Sequence, residues 1–293
     1  PASVTDWLGG TTTFTYDAAG QLTGVARPNG VDSTLGYDAA GRLVSIAHGS
    51  LGTIAITRDA AGRPVTAVRD LPTAAVPASP ASFAYDAASQ VSGSGWSYDA
   101  IGRRTGGAGR TYAWDLASRL VQVVEGATTT TLGWDAFGRL VSLDRGATNR
   151  AYVWNYALPF PAISIETEDG VPLRHFVHHP SGRLLYWVDA GTNARHFPHF
   201  DERGNTVLVT SGAGAVESSF AYSPYGAVAT PDAGDDVPHT FLGEWGGHAL
   251  GGGLYVFGRR VYDADTAAFL SRDPVHPHLH PLTFNPYQYA GRD

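Results

Sequence analysis

Apolar and polar residues alternate along this chain in short bursts. Thr13-Phe14-Thr15-Tyr16 and Thr131-Leu132-Gly133-Trp134 alternate up to an aspartate, while Arg42-Leu43-Val44-Ser45-Ile46 and Arg139-Leu140-Val141-Ser142-Leu143 alternate after a glycine. Period two over such lengths predicts half-buried strands. The Asp-x-x-Gly between two such runs predicts a hairpin turn. Its carboxylate can accept bonds from the turn's own amides, and glycine supplies the positive φ that closes the loop. The pairs Ala18-Ala19, Ala39-Ala40 and Ala60-Ala61 suit the middle of a type I turn.

The unit recurs. Phe14-Thr15-Tyr16-Asp17-Ala18-Ala19-Gly20-Gln21-Leu22 returns as Leu35-Gly36-Tyr37-Asp38-Ala39-Ala40-Gly41-Arg42-Leu43, and in decayed form around Asp59. Further copies centre on Asp86, Asp99, Asp115 and Asp135, with weaker ones at Asn155, Pro180, Asp201 and Ser223. Each repeat therefore reads as one β-hairpin, and the array as one long antiparallel sheet. Twist and unprotected edges forbid a flat sheet of that length, so it must curl, close or stack. Tyr16, Tyr37, Trp114 and Trp134, each one residue before an aspartate, are expected on one face as ladders between hairpins. Regularly spaced aspartates could line a metal or sugar site, but with glycine three residues on they read as turn holders.

Composition narrows the class further. The 36 glycines and 18 prolines make up about 18% of the chain, against a usual share of roughly 12%. Hydrophobic residues at 43% and aromatics at 11% exclude intrinsic disorder. With no cysteine there is no disulfide, thiolate metal site or catalytic thiol. A net charge of −7 without any basic run argues against a nucleic-acid partner. No stretch is apolar enough to span a membrane as a helix. All basic residues are arginine, which reads as genomic base-composition bias. Methionine is absent and the sequence starts at Pro1, so a fragment or processed product is expected.

The repeated Tyr-Asp-x-x-Gly-Arg-Leu unit, over roughly residues 11 to 226, resembles the YD repeat of Rhs (rearrangement hotspot) proteins, Tc insecticidal toxin C components and teneurins. Phe241-Leu242-Gly243-Glu244-Trp245, Arg259-Arg260-Val261-Tyr262-Asp263, Ala268-Phe269-Leu270-Ser271-Arg272-Asp273-Pro274 and Asn285-Pro286-Tyr287-Gln288-Tyr289 resemble the Rhs-associated core domain. The resemblance implies an all-β fold of hairpins coiled into a spiral β-shell or part of one. Residues 1–239 would form the repeat array and residues 240–293 a core domain acting as a C-terminal plug. The implied function is an encapsulating segment of a polymorphic toxin, secreted or cell-surface after a stay in the bacterial cytoplasm. Its partners would be its own C-terminal toxin cargo and delivery proteins of a secretion system. The core domain is similar to an aspartyl autoprotease, in which two close carboxylates sharing a proton would activate water. Asp273 would be one of them, with Arg272 as its electrostatic partner. The family's second aspartate lies in an Asp-Pro-x-Gly-Leu sequence that this chain does not contain. Asp293 stands where the family has asparagine. The chain as given is therefore expected not to cleave.

Other chemistry is weaker. His276, His278 and His280 alternate, with His239 and His248 upstream, and could bind a metal given a fourth ligand; a polar loop is the preferred reading. His178, His179, His196 and His199 read as packing or surface residues. Gly251-Gly252-Gly253 is followed by no lysine, so it is no phosphate loop. Ser218 and Ser219 lack a hydrolase elbow. Pro72 to Pro80 and Pro231 to Pro238 read as loops, the latter without the spacing of a calcium site. No cofactor is expected. The alternative function is an extracellular adhesion or glycan-binding protein whose Tyr and Trp ladders stack on sugars.

Overall fold

In the computed structural model, which describes residues 1–77, 82–229, 236–274 and 285–289, the alternating segments are strands joined in sequence order. Seven, from Ser3–Thr5 to Pro64–Asp70, form one antiparallel sheet. Thirteen, from Ser97–Tyr98 to Val216–Ser219, form a second. The described residues contain no α-helix, only a 3₁₀ turn at Gly243–Trp245. The array is thus two long sheets and two separate short hairpins, at Asp86 and Ser223, and not the single sheet expected. The break falls where Pro72 and Pro77 offer no ladder N–H and the Asp86 hairpin pairs only Ala84–Tyr85 with Val91–Ser92.

The turns follow one plan. Gly20 N–H donates to the Asp17 carbonyl (3.0 Å), and the N–H groups of Ala19 and Gln21 both donate to Asp17 Oδ1 (2.9 Å each). The same bonds recur at Asp38, Asp99, Asp115, Asp135 and Asp201. Gly20 sits at φ 80°, which a side chain adopts only with strain, although Ser118 accepts 60° in the equivalent place. After Asp38, Asp59, Asp99 and Asp115 the following arginine clamps the second carboxylate oxygen, as in Arg119 Nε to Asp115 Oδ2 at 2.7 Å, whereas Asp135 Oδ2 accepts the Tyr156 hydroxyl. Two readings need correcting. The copy placed at Pro180 starts at His179, whose Nδ1 accepts the Ser181 N–H (3.1 Å) in place of a carboxylate oxygen. Asp6 is an additional turn of the same kind, with Leu8 and Gly10 N–H on its Oδ1.

A β-bulge accompanies most of these turns, though not those at Asp6, Asp86 and Ser223. Gly133 pairs with Ser142 but Trp134 pairs with Leu140, so Val141 is extra; Thr23, Val44 and Val121 are extra in their own hairpins. The returning strand therefore does not alternate as its sequence suggests. Leu140 and Leu143 are both buried, three apart, with two half-buried residues between them.

The aromatic before each aspartate crosses to the preceding hairpin. Trp114, Trp134 and Trp154 donate Nε1–H to the carbonyls of Arg104, Leu120 and Leu140, each at 2.7 Å. Tyr37 OH does the same to Leu22 (2.8 Å), and even Arg58, in a decayed copy, reaches the Leu43 carbonyl (2.9 Å). The expected stacked ladder is replaced by these bonds. The aromatics recur on every second strand, about 9.5 Å apart, beyond the reach of ring stacking at about 7 Å.

The second sheet is covered on both faces near its end. Phe176, Leu184, Trp187 and Val209 belong to the large core cluster, whereas Val177, Tyr186, Val188 and Phe197, at alternate positions, form another with Val4. The covering layer is the first sheet. Tyr186 OH donates to Asp6 Oδ2 (3.0 Å), Arg195 pairs with Asp6 (2.8 Å), and Asn29 Nδ2 donates to Thr210 Oγ1 and the Ser211 carbonyl (2.9 Å each). The sheets stay open and overlap as coils of a spiral.

Trp134→Phe keeps one aromatic ring but deletes the indole N–H bond and some packing on the core cluster, so it should cost at least about 1 kcal/mol in urea unfolding; an unchanged midpoint would remove the indole bond from the fold's account. Acid should act on the turns. Partial burial pushes the Asp99 and Asp115 carboxyls up, but the amides and guanidinium groups of Arg103 and Arg119 outweigh it and leave both low. At Asp38 the Arg42 amide is the largest influence, with the same net direction. Such groups add stability above the unfolded carboxyl value, about 3.9, and lose it as pH falls through the lower folded value. Denaturation midpoints should hold down to about pH 5 and drop below about pH 4; a flat profile would contradict this account of the turns.

Candidate functional site

The concave face of the second sheet is not empty. Four strands, His248–Gly251, Leu254–Phe257, Arg260–Asp263 and Ala268–Phe269, form an antiparallel sheet of their own. From it Leu250, Leu254, Val256 and Val261, with Leu270 just beyond, pack against Tyr112, Leu120, Leu132, Leu140 and Leu143 of the wall. Phe241, Tyr255, Tyr262 and Phe269 make a separate aromatic cluster joined by Phe257 and Tyr289.

Polar pegs fix this docking. Arg104 and Asp263 form an ion pair at 2.6 Å with both side chains 1% exposed. Thr266 Oγ1 accepts a further bond from Arg104, whose guanidinium lies 4.8 Å over the Trp96 ring and whose backbone N–H donates to Leu270 (2.8 Å). A second network joins the wall to residue 236. Arg150 and Arg174 both pair with the buried Glu166 (2.8 and 3.1 Å) and with Asp236 (2.7 and 2.6 Å). Burial nonetheless leaves the Glu166 carboxyl raised, despite Arg174 and Arg150.

Asp273 lies where the core domain meets the repeats. Its Oδ2 pairs with Arg260 (2.9 Å), and its N–H donates to the Pro286 carbonyl (2.9 Å). The Arg260 guanidinium in turn sits 3.7 Å from the Phe269 ring centre. Arg272 is exposed, with its aliphatic stem over Gly102: a Cβ there would approach its Cδ to 2.8 Å. Tyr287 closes the corner by donating to the Gly102 carbonyl (2.6 Å) and accepting from Gln90 (2.9 Å). The structure thus brings Asp273 to Arg260 and places Arg272 against the Asp99 turn.

Comparisons with known proteins agree on the architecture. The family described as Teneurin YD-shell matches over residues 3–293. The chain belongs to the teneurin YD-shell family. Among solved structures it is similar to TcdB2-TccC3-Cdc42, at 15% identity and a TM-score of 0.67. It is also similar to TcdB2-TccC3 without its hypervariable C-terminal region, at 15% and 0.66, each match covering 99% of this chain and 20% of that one. A Photorhabdus luminescens Tc holotoxin pore with a TccC3 mutation matches at 14% and 0.58 over the same shares. The chain thus spans about one fifth of the length of these chains. No curated protein matches it in sequence.

In this YD-shell chain the other candidates resolve as packing. His248 bonds the Tyr152 hydroxyl (3.0 Å) and His239 the Gly247 carbonyl (3.1 Å), both buried in the docking seam. His199 is buried, and His196 bridges Asp189 and Glu217. His276, His278 and His280 lie outside the described residues, as do Asp232, Asp235 and Asp293. Among the described residues no three His, Asp or Glu side chains gather as metal ligands. Gly251 and Gly252, both at positive φ, make the tip of a core hairpin. The Arg104 peg went unread, although its signal was present. Residue 104 holds the place filled by Leu22, Leu43, Leu120 and Leu140 in other copies.

Asp263→Ala leaves Arg104 buried without a counter-charge and should cost about 3–5 kcal/mol. Arg104→Leu with Asp263→Leu should recover much of that in the same urea titration. A single-variant loss under about 1 kcal/mol would show that the pair does not hold the core domain.

Proposed function

We propose that the chain is a stretch of shell wall with its closing core domain, enclosing a polypeptide that continues from its C-terminal side, and that the core domain belongs to a self-cleaving aspartyl protease. The observation that carries this reading is the thirteen-stranded wall curled around the core domain, with Asp273 at the seam through which the chain leaves the Phe269 strand. Asp273 would supply one catalytic carboxylate. The partner carboxylate would come from sequence after Asp293, and Arg260 would hold the Asp273 carboxylate in place to meet it. Arg272 would then be a surface residue over the Asp99 turn and not an electrostatic helper. Boundaries at 1–239 and 240–293 separate wall from core domain. The cargo would be a toxin exported with its shell, and delivery proteins would be further partners. The adhesion alternative asks for indole faces offered to sugars, whereas Trp114, Trp134 and Trp154 pack onto the core cluster with their N–H groups already bonded.

The experiment is expression of the chain extended through its native downstream sequence, beside Asp273→Asn, with intact mass as the readout. The wild type should yield a separate C-terminal peptide that stays associated and resists added protease, and Asp273→Asn should remain whole. If the wild type stays uncut while folded, the protease assignment falls. If the downstream peptide is degraded at once, the enclosing assignment falls as well.

A further inference from the structure

Between the first sheet and the turn tips of the second lie two adjoining cavities of about 380 and 220 Å³. They share the apolar Leu22, Val25, Phe200 and Trp245, and the charged Arg27 and Arg183–Glu244 pair, among their walls. Phe14, Phe160 and Leu184 extend the apolar lining of the larger one, and Leu35 and Ile46 that of the smaller. Together they have the size of a small-molecule site, the larger mostly apolar and the smaller mixed, with Asp201, Glu202 and Arg203 also in its lining. At the junction stands one charge that the fold does not compensate.

That charge is Arg27. Its Nη1 donates to the Val31 carbonyl (3.1 Å) and to Ser33 Oγ (2.7 Å). Among the described residues no carboxylate comes within ion-pair distance of it, and Nε and Nη2 carry no partner. These two nitrogens are not sealed in the protein, as the orphaned Arg58 Nε and Arg110 Nη1 are. The neighbouring acids are occupied. Asp32 accepts the Arg27 backbone N–H (2.8 Å), Glu244 is bound by Arg183, Glu202 by Arg69, and Asp201 by its own turn and Asn205. Arg104, Arg110, Arg150 and Arg195 have their guanidinium groups stabilised by ion pairs. Arg27 instead is lowered by burial to about 10, with Asp32 and Glu244 too weakly coupled to restore it. It stays charged at neutral pH, and its two open nitrogens offer an anion a cation that no acid among the described residues has taken.

We infer that these joined cavities bind an amphipathic carboxylate, with an unbranched apolar chain against Phe14, Leu22, Val25 and Trp245 and its carboxylate on the free Nε and Nη2 of Arg27. The fork of a guanidinium matches a carboxylate's two oxygens. The apolar walls disfavour small hydrophilic anions, which would lose water without gaining contact. This site stands apart from the shell function and from Asp273.

The test is isothermal titration calorimetry of the whole chain with decanoate, kept below its micelle concentration, beside decanol and decyltrimethylammonium. Decanoate should bind with saturable heat at least tenfold more tightly than decanol, since its carboxylate accepts charge-assisted bonds that a hydroxyl does not match, and the cation should not bind. Arg27→Met should abolish the preference for decanoate. Leu22→Trp, which fills the shared wall and leaves Arg27 in place, should weaken both decanoate and decanol. Equal affinity for decanoate and decanol in the wild-type chain overturns the proposal without relying on any variant. So does the absence of saturable binding, or undiminished decanoate affinity in Arg27→Met of unchanged melting temperature.

Discussion

Everything in this fold depends on one extra residue per hairpin. Within the two long sheets most Asp turns are followed by a bulge on the returning strand, as at Thr23, Val44, Val121 and Val141, while the Asp6 turn is not. A bulge bends its strand and adds local twist. A single one is a local irregularity; repeated in the same place on successive hairpins, it makes the bend additive and turns a ribbon into a curled wall. The Asp carboxylate, the positive φ three residues on and the aromatic reaching back to the previous hairpin are what make each bend alike. Arg103 and Arg119 pass it along by donating to the next turn's carbonyl, at Asp115 and Asp135, 2.7 Å each.

A curled wall still needs something to curl around. One face of the hairpins is apolar, and a hairpin alone cannot bury it. Over residues 110–145 that face closes on the core domain. Over residues 171–211 the other face is closed as well, by the returning first sheet. The near-continuous burial of Thr206–Ser211 against the spaced burial of Leu140–Arg145 records this difference in surroundings for strands of the same repeat.

The repeat, its turns and the all-β class were legible because each rests on local chemistry: Asp and Gly at fixed offsets, and aromatics one residue before. The core domain was legible by resemblance, through segments such as Ala268 to Pro274. What was not legible depends on partners distant in sequence. The bulge shifts burial from alternate residues to Leu140 and Leu143, and the alternation visible in Leu140-Val141-Ser142-Leu143 hides it. The break between sheets shows only as a proline-rich interruption. His179 replaces a carboxylate with a ring nitrogen, so a search by residue type places that turn one residue late. Arg104 and Arg27 look like ordinary surface arginines until the layers above them are in place.

Those buried charges answer a problem peculiar to repeats. Hairpins of near-identical pattern could slide past one another, or past the core domain, by a whole repeat and still bury leucine against leucine. Hydrophobic contact alone therefore leaves several near-equal arrangements. Contacts that occur once do not. Asp6 with Tyr186 and Arg195 sets the first sheet on the second; Arg104 with Asp263 sets the core domain in the wall, and Arg174 with Glu166 and Asp236 ties down the segment that leads into it. A shift by one repeat would put Leu120 where Arg104 belongs and leave Asp263 buried without a cation. A buried pair adds little net stability over an apolar one, but a broken pair costs several kcal/mol. The leucines hold the wall closed, and the rare charges decide where it closes.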